Sequence, residues 1–376
     1  MPDLFEKTSI KSLTLRNRFI RSATWEGMAL EDGTCTPQLE ALYKELAEGQ
    51  IGLIISGHAY VSEEGKATPW QLGIYKDEQI APLGRLTKAV HDRNGTIVAQ
   101  LAHAGQFTDR KLTGVPPLAL SITGEKGGVE YRKARTEDLE ALPAAFARAA
   151  LRAQAAGFDG IQLHAAHSYL LSQSLSPAFN QRTDQYGGSP ENRMRLLMEV
   201  LSAVRKAVSK DYPLLVKLNC ADFIEGGVTV EASLKVAHRL QDAGIDAIEV
   251  SGGTLVSGAL GPVRAKIDSE DREAYFRQAA KQFKEELAVP IILVGGVRSI
   301  TLAETLLAEG VTDYFSMARP FIREPHLVKR WEAGDRRKST CISDNQCNKA
   351  ARSGKGVYCV VEENEKKAAV RMGPNV

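Results

Sequence analysis

The segment HAAHSYL, residues 164–170, contains three side chains that can bind or transfer a proton: His164, His167 and Tyr169. The whole chain has only seven histidines, so two of them separated by two residues are a notable concentration. Such a pair can be a metal site, a pair of hydrogen-bond donors that polarise a substrate, or buried structural histidines. A tyrosine beside it can act as a general acid.

Composition limits the classes of protein to consider. The 376 residues are 43% apolar, and 48 Lys and Arg nearly balance 46 Asp and Glu. This favours a globular enzyme and argues against a nucleic-acid or membrane partner. The first residues lack a basic region followed by an apolar run, and no segment approaches the roughly 20 apolar residues that span a bilayer. We expect a cytoplasmic homo-oligomer, either a dimer or a tetramer.

Eight short apolar runs recur along the chain and predict the elements that position this segment. They cover residues 18–22, 51–56, 96–101, 158–164, 213–218, 245–251, 290–296 and 311–317. Continuous apolar runs are typical of parallel strands buried on both faces. Amphipathic stretches between them have helix signals, such as Ser189-Pro190 at a start and Gly244 or Gly310 at an end.

The repeated unit predicts an α/β protein with a (β/α)8 TIM-barrel fold. An open doubly wound sheet is the alternative, but its G-x-G-x-x-G turn is missing after the early strands. We expect the barrel to span residues 1–335, with an N-terminal hairpin in residues 4–18 that caps its bottom. Long loops follow the third and fourth strands, at residues 102–135 and 165–188, and residues 336–376 are predicted to be a C-terminal extension packing on the barrel.

In a TIM barrel the chemistry lies where the strands end. Loops after the last two strands often bind phosphate, so Gly295-Gly296 and Arg319 predict a phosphate site; a simple tight turn is the alternative for the glycines. Lys217 ends an apolar strand and must meet an anion. Either a carboxylate from a neighbouring strand or a reduced flavin can supply that charge.

The same placement narrows the interpretation of the histidine pair. A zinc site at His164 and His167 needs further ligands, and no Asp or Glu is expected at the neighbouring strand ends. The pattern therefore favours two hydrogen-bond donors that stabilise developing negative charge on a substrate. Structural histidines remain the second possibility.

Three segments resemble the Old Yellow Enzyme family of NADH:flavin oxidoreductases, which are FMN-dependent ene reductases. They are GFDGIQLHAAHSYLLSQSLSPAFNQRTDQYGGSPENR, VAQLAHAGQ and AEGVTDYFSMARPFIREP. The resemblance implies that the barrel holds FMN and that NADH or NADPH reduces it. It also implies that flavin N5 delivers hydride to the β-carbon of an α,β-unsaturated carbonyl substrate.

The resemblance assigns roles by position. In this assignment His164 and His167 hold the substrate carbonyl, and Tyr169 supplies the proton. Trp25 stands where several members have a small residue and is expected to shape the substrate pocket, while Lys217 replaces an arginine of many members. The residues expected to bind the cofactor are Ala23, Thr24, Gly57, His58, Gln100, Lys217, Gly295, Gly296, Ala318 and Arg319.

Cys341, Cys347 and Cys359 resemble the four-cysteine iron–sulfur segment of larger relatives, such as trimethylamine dehydrogenase and 2-enoate reductase. Asp344 occupies the second cysteine position. Because clusters are normally held by four thiolates, we expect no cluster and no bound metal. A zinc ion held by the three thiolates and Asp344 is the alternative.

Two other functions remain open. One is the barrel of an iron–sulfur flavoprotein of the enoate reductase or amine dehydrogenase type. The other is a metal-dependent lyase or hydrolase that uses His164 and His167 as ligands. A binding barrel without catalysis leaves the placement of Tyr169 and Lys217 unexplained.

Overall fold

A computed structural model describes residues 2–122 and 124–372 of the chain. Residue 123 of the first long loop and residues 373–376 of the C-terminal extension lie outside the described residues. The strands are, in chain order, β1 (Thr8–Ile10), β2 (Leu13–Leu15), β3 (Phe19–Arg21), β4 (Leu53–Ile55), β5 (Ala59–Tyr60), β6 (Ile97–Ala102), β7 (Leu118–Ala119), β8 (Gly124–Lys126), β9 (Val129–Lys133), β10 (Gly160–Ala165), β11 (Leu214–Asn219), β12 (Ala247–Ser251), β13 (Ile291–Val294) and β14 (Tyr314–Met317).

Eight parallel strands close into a barrel. The ring runs β3, β4, β6, β10, β11, β12, β13 and β14, and β14 pairs with β3 to complete it. These are the eight apolar runs of the sequence, so the predicted TIM barrel is confirmed and the open sheet was the wrong alternative. The inward side chains of a closed barrel form layers, which brings residues from distant parts of the chain together.

Helices alternate with the barrel strands, and their ends follow local sequence signals. The Ser189 hydroxyl accepts a hydrogen bond from the Asn192 backbone N–H at 3.2 Å at the start of the sixth helix. Gly244 and Gly310 have φ of 85° and 68° just beyond two helix ends. The helices are α1 (Pro37–Glu48), α2 (Ile80–His91), α3 (Arg110–Thr113), α4 (Thr136–Ala155), α5 (Leu170–Leu175), α6 (Pro190–Ala207), α7 (Val230–Asp242), α8 (Arg277–Glu286), α9 (Ile300–Ala308), α10 (Arg319–Arg323), α11 (Leu327–Glu332), α12 (Gln346–Ala350) and α13 (Val360–Met372).

The predicted N-terminal hairpin is present. Strands β1 and β2 pair antiparallel, with Thr8 opposite Leu15. Its buried residues Ile10, Leu13 and Leu15 belong to one apolar cluster with side chains from the barrel interior, including Leu53 at the start of β4. The hairpin therefore closes the bottom of the barrel, and the opposite end remains open for a site.

The described part of the C-terminal extension returns to that open end. The Val357 backbone N–H donates to the carbonyl of Glu26 at 2.7 Å, and the Lys266 N–H donates to the carbonyl of Ser343 at 3.1 Å. Among the described residues, no helix is both long and apolar enough to cross a membrane.

Candidate active site

A cavity of about 270 Å³ lies at the carboxyl ends of the barrel strands. Every predicted catalytic and cofactor-binding residue lines it except Gly57, and Trp25 lines it as well. The C-terminal extension contributes Ser343, Asn345, Cys347, Asn348 and Val357 to its wall. Residues predicted from the sequence to be catalytic, to bind the cofactor and to shape the substrate pocket therefore line one cavity.

Gly57 is the one predicted cofactor-binding residue that does not line the cavity. Its backbone N–H donates to the Tyr43 hydroxyl at 2.7 Å, and its carbonyl accepts from the Ser56 hydroxyl at 3.0 Å. A Cβ atom at this position would lie 2.1 Å from Oε2 of Glu26. Gly57 thus permits close packing behind the cavity wall, and its backbone groups already have partners.

Four aromatic side chains form a group that we call the rim cluster: His58, His164, His167 and Tyr169. The ring centroids of His164 and Tyr169 are 4.4 Å apart, and those of His164 and His167 are 5.3 Å apart. Nε2 of His58 lies 2.8 Å from the Tyr169 hydroxyl. The predicted trio is therefore brought together by the fold, with a third histidine added to it.

The side chain of His58 is a part of the site that the sequence reasoning missed. His58 was expected only to contact the cofactor, and its carbonyl accepts from the Gln71 side-chain amide at 3.0 Å. The imidazole itself points at Tyr169. Its signal in the sequence was its position just beyond the second barrel strand, where functional side chains of this fold gather.

An unusual turn positions His167. Both His167 and Ser168 adopt left-handed backbone conformations, with φ of 59° and 58°, which are uncommon for residues with a side chain. The His167 N–H donates to Oδ1 of Asn219 at 3.1 Å, and the Ser168 hydroxyl accepts from the Leu255 N–H at 3.1 Å. These bonds hold the turn so that Nε2 of His167 lies 2.7 Å from the Ser251 hydroxyl.

Burial sets the protonation states of the rim cluster. It lowers the pKa of His164 well below its usual value, with neighbouring His167 adding to the effect. Burial and the charge of Lys217 likewise lower the pKa of His167, and they lower that of His58 to about 4. Burial raises the pKa of Tyr169. At neutral pH the imidazoles are therefore uncharged and the phenol keeps its proton.

Lys217 meets a carboxylate, which is one of the two anion partners expected for it from the sequence. Its ammonium is 3.2 Å from Oε1 of Glu249 on the neighbouring strand β12, and both side chains are buried. The anion partner of Lys217 within the protein is thus the strand carboxylate. Glu249 does not create a metal site: within residues 2–122 and 124–372, no group of three or more His, Cys, Asp or Glu is placed to hold a metal ion.

The floor and one end of the cavity fit a flavin nucleotide. Lys217 and Gln100 present a cation and an amide at the floor, suited to the polar edge of the ring.

Gly295 and Gly296 have φ of 123° and 82°, and a Cβ at either would lie 2.9 Å from the Tyr275 ring, so only glycine leaves this backbone open. Arg319 lies beside them, held by Oδ1 of Asn345 at 2.7 Å, and Ala318 precedes it. This cradle suits a phosphate.

Trp25 and the cysteines occupy different positions relative to this cavity. Nε1 of Trp25 is buried and has no hydrogen-bond partner among the described residues. Cys341, Cys347 and Cys359 line a second, small cavity with Asp344, and Cys347 also lines the main cavity; none of the three is in a disulfide. Burial raises the pKa of Cys347 to about 11, so this thiol is protonated at neutral pH.

Comparisons with known proteins agree with these features. The profile of the NADH:flavin oxidoreductase / NADH oxidase family matches residues 3–338. An NADH oxidase of Thermoanaerobacter brockii is 34% identical over 350 residues, which cover 92% of this chain and 53% of that protein. The chain thus spans about half the length of that relative.

Relatives of similar length also match. An NADPH dehydrogenase of Bacillus subtilis is 33% identical over 327 residues, covering 87% of this chain and 93% of that protein. The crystal structure of an old yellow enzyme homologue from Zymomonas mobilis aligns with a TM-score of 0.77 and 29% identity, over 91% of this chain and 96% of that one.

Proposed function

Since the chain belongs to the NADH:flavin oxidoreductase / NADH oxidase family, we propose that it is an FMN-dependent ene reductase. In this proposal NADH or NADPH is the reductant, and the substrate is a small α,β-unsaturated carbonyl compound. The observation that carries it is that the rim cluster and the cradle for FMN share one cavity. The resemblance found in the sequence is confirmed at the level of the family.

The proposed FMN site uses residues from both ends of the cavity. Lys217 and Gln100 would hold the polar edge of the flavin ring, and the backbone of Gly295 and Gly296 would hold the phosphate together with Arg319. Ala23 and Thr24 line the wall between them. When bound, FMN would supply the hydride-transfer chemistry that links NADH or NADPH to the β-carbon of the substrate.

His164 and His167 polarise the substrate carbonyl in this proposal. Each neutral imidazole carries one N–H that can donate a hydrogen bond. Negative charge grows on the carbonyl oxygen as the β-carbon receives hydride, and fixed donors in a buried cavity stabilise that charge. Because the pKa values of both residues are lowered, both imidazoles are neutral and carry no acidic imidazolium proton, which leaves the phenol as the proton donor.

Tyr169 delivers the proton to the α-carbon. Its raised pKa keeps the phenol protonated before the reaction. The adjacent Nε2 of His58, at 2.8 Å, supports it: when that nitrogen carries hydrogen, it donates to the phenol oxygen and leaves the phenol proton free to face the substrate. The same bond stabilises the phenolate after the transfer.

Two anaerobic half-reactions test this function. Purified protein is expected to be yellow, to lose its visible flavin absorbance with NADH or NADPH, and to regain it with a cyclic enone, a maleimide or an enoyl thioester. Mass spectrometry should then find the saturated product in an amount equal to the enzyme, while the saturated ketone, as a control, regenerates no absorbance. A colourless protein that contains stoichiometric metal would contradict the proposal.

The predicted homo-oligomeric state and cytoplasmic location stay predictions. Light scattering of the purified protein measures the first, with a dimer or tetramer as the expected result. Cell fractionation measures the second.

A further inference from the structure

Beneath the cavity floor lies a buried carboxylate that the proposed mechanism does not use. Glu249 is fully buried on β12 and does not line the cavity itself. Its Oε1 accepts hydrogen bonds from the hydroxyls of Ser22 and Ser316, each at 2.8 Å, and lies 3.2 Å from the ammonium of Lys217. Its Oε2 accepts from the amide of Gln162 at 2.8 Å. One carboxylate therefore gathers side chains from several barrel strands.

The first consequence concerns charge. A lone buried ammonium is costly, and Glu249 balances the charge of Lys217 within the protein. Lys217 also donates to the Ser22 hydroxyl at 2.8 Å, which fixes its direction. The negative charge of Glu249 beneath the floor therefore partly cancels the positive potential that Lys217 presents to a ligand in the cavity.

The second consequence concerns the orientation of Gln100. A carboxylate can only accept hydrogen bonds, so Gln162 must turn its NH₂ group toward Glu249 and its oxygen away. That oxygen accepts from Nε2 of Gln100 at 2.6 Å. Gln100, which lines the cavity, is thereby held with its own oxygen free to accept a hydrogen bond from an N–H group of a ligand.

We propose that Glu249 is a positioning residue that orients Gln100 and offsets the charge of Lys217, and that it thereby sets the relative affinity for oxidised and reduced FMN. The six residues Ser22, Gln100, Gln162, Lys217, Glu249 and Ser316 are called the floor network below. This inference rests on the proposed function because it requires FMN to lie on this floor.

The variant E249Q tests the effect of charge. It keeps the shape of the side chain and removes its charge, so Lys217 favours the more negative, reduced cofactor. We expect the ratio of reduced to oxidised FMN affinity to rise about tenfold, which moves the midpoint potential about 30 mV in the positive direction for a two-electron couple. Dye-coupled reduction of the holoenzyme measures this potential.

Two further variants show whether the shift has the proposed cause. In the K217M background, E249Q should produce no further shift, because a buried carboxyl without its cation partner takes up a proton and is already neutral. Glu26 pairs with Arg21 at 2.8 Å in another buried ion pair away from the cavity lining, so E26Q is the matched control and should leave the potential unchanged. A potential of E249Q equal to that of the wild type, or more negative, overturns the inference.

The variant Q162L tests orientation and remains informative should E249Q fail to fold. It disconnects Gln100 from Glu249 while leaving the ion pair with Lys217 intact. Both redox states of FMN should bind about fivefold more weakly, since one oriented hydrogen bond is lost, and the potential should stay close to that of the wild type. FMN release from diluted holoenzyme, followed by flavin fluorescence, measures this; an unchanged affinity overturns the orienting role.

The outcomes also separate this inference from the proposed function. If the holoenzyme carries FMN and E249Q shows the expected shift in potential, but no alkene is reduced, then the proposed substrate is wrong and the role proposed for Glu249 still holds. If alkene reduction is normal but the midpoint potential of E249Q equals that of the wild type, only the role proposed for Glu249 is wrong.

Discussion

The floor network and the rim cluster lie at the same end of the barrel and are built in opposite ways. In the floor network Glu249 engages four side chains, and the bonds run from strand to strand. In the rim cluster Nδ1 of His164 is buried with no partner among the described residues, and its contacts are largely ring against ring. A satisfied network holds one arrangement, whereas a polar nitrogen left without a partner is available to a ligand. We interpret the contrast as support for the proposal that the floor binds the cofactor and the rim binds the substrate.

The largest effect should come from Y169F in the rim cluster. Loss of the general acid is expected to slow alkene reduction about 10²- to 10⁴-fold. Reduction of the flavin by NADH or NADPH needs no phenol proton and should stay near the wild-type rate. Anaerobic stopped-flow of the two half-reactions measures both rates. Equal losses of rate in the two half-reactions would place Tyr169 in the FMN site and would contradict the separate roles proposed for the floor network and the rim cluster.

H164A should have the next largest effect. Removing one donor to the developing oxyanion is expected to lower kcat/KM for carbonyl-bearing alkenes by about 10²-fold, with a higher KM and a lower kcat. H164N, which returns a side-chain N–H donor, should recover part of the loss. The flavin midpoint potential should not change in either variant. An unchanged kcat/KM in H164A would contradict the polarising role.

Acid should weaken the fold through the buried histidines. The pKa of His58 is lowered to about 4 in the folded protein, from about 6.5 when unfolded, so its contribution to stability is present above pH 6.5 and is lost as the pH falls toward 4. The contribution amounts to at most about 3 kcal/mol. Denaturant unfolding at several pH values measures it, and H58Q should show a shallower pH dependence than the wild type. Identical slopes for the two proteins would contradict this.

The smallest effect is expected at the cysteines of the second cavity. A variant with Cys341, Cys347 and Cys359 all changed to serine should keep its FMN content and its kcat/KM, because no metal is expected there. Elemental analysis of the wild type should find iron and zinc well below one per chain. Stoichiometric iron or zinc that disappears in the triple variant would restore the cluster or zinc alternative.

The sequence was sufficient for the barrel because continuous apolar runs and helix-ending glycines are local signals. It was also sufficient to bring His164, Lys217 and Arg319 to one cavity, since the strand ends of this fold converge. The roles of these residues stay predictions.

Other parts of the site could not be predicted, because they depend on contacts between residues that are distant in the sequence. Gly57 lies outside the cavity lining, and the packing of Tyr43 and Glu26 against it cannot be seen in a local sequence pattern. Asn345 reaches Arg319 only because the C-terminal extension returns to the barrel mouth. Glu249 did leave a signal, a charge in the middle of the apolar run 245–251, but its partner on β11 became visible only with the strand register.

Isotope placement in the product tests the division between floor and rim most directly. Alkene reduction with deuterated NADH or NADPH in ordinary water, and with unlabelled cofactor in D₂O, shows where each hydrogen goes. The proposed site predicts cofactor-derived deuterium at the β-carbon, solvent-derived deuterium at the α-carbon, and addition on opposite faces of the double bond. Addition of both hydrogens on one face, or a β-hydrogen derived from solvent, would contradict a floor that supports the hydride donor opposite a rim that supplies the proton.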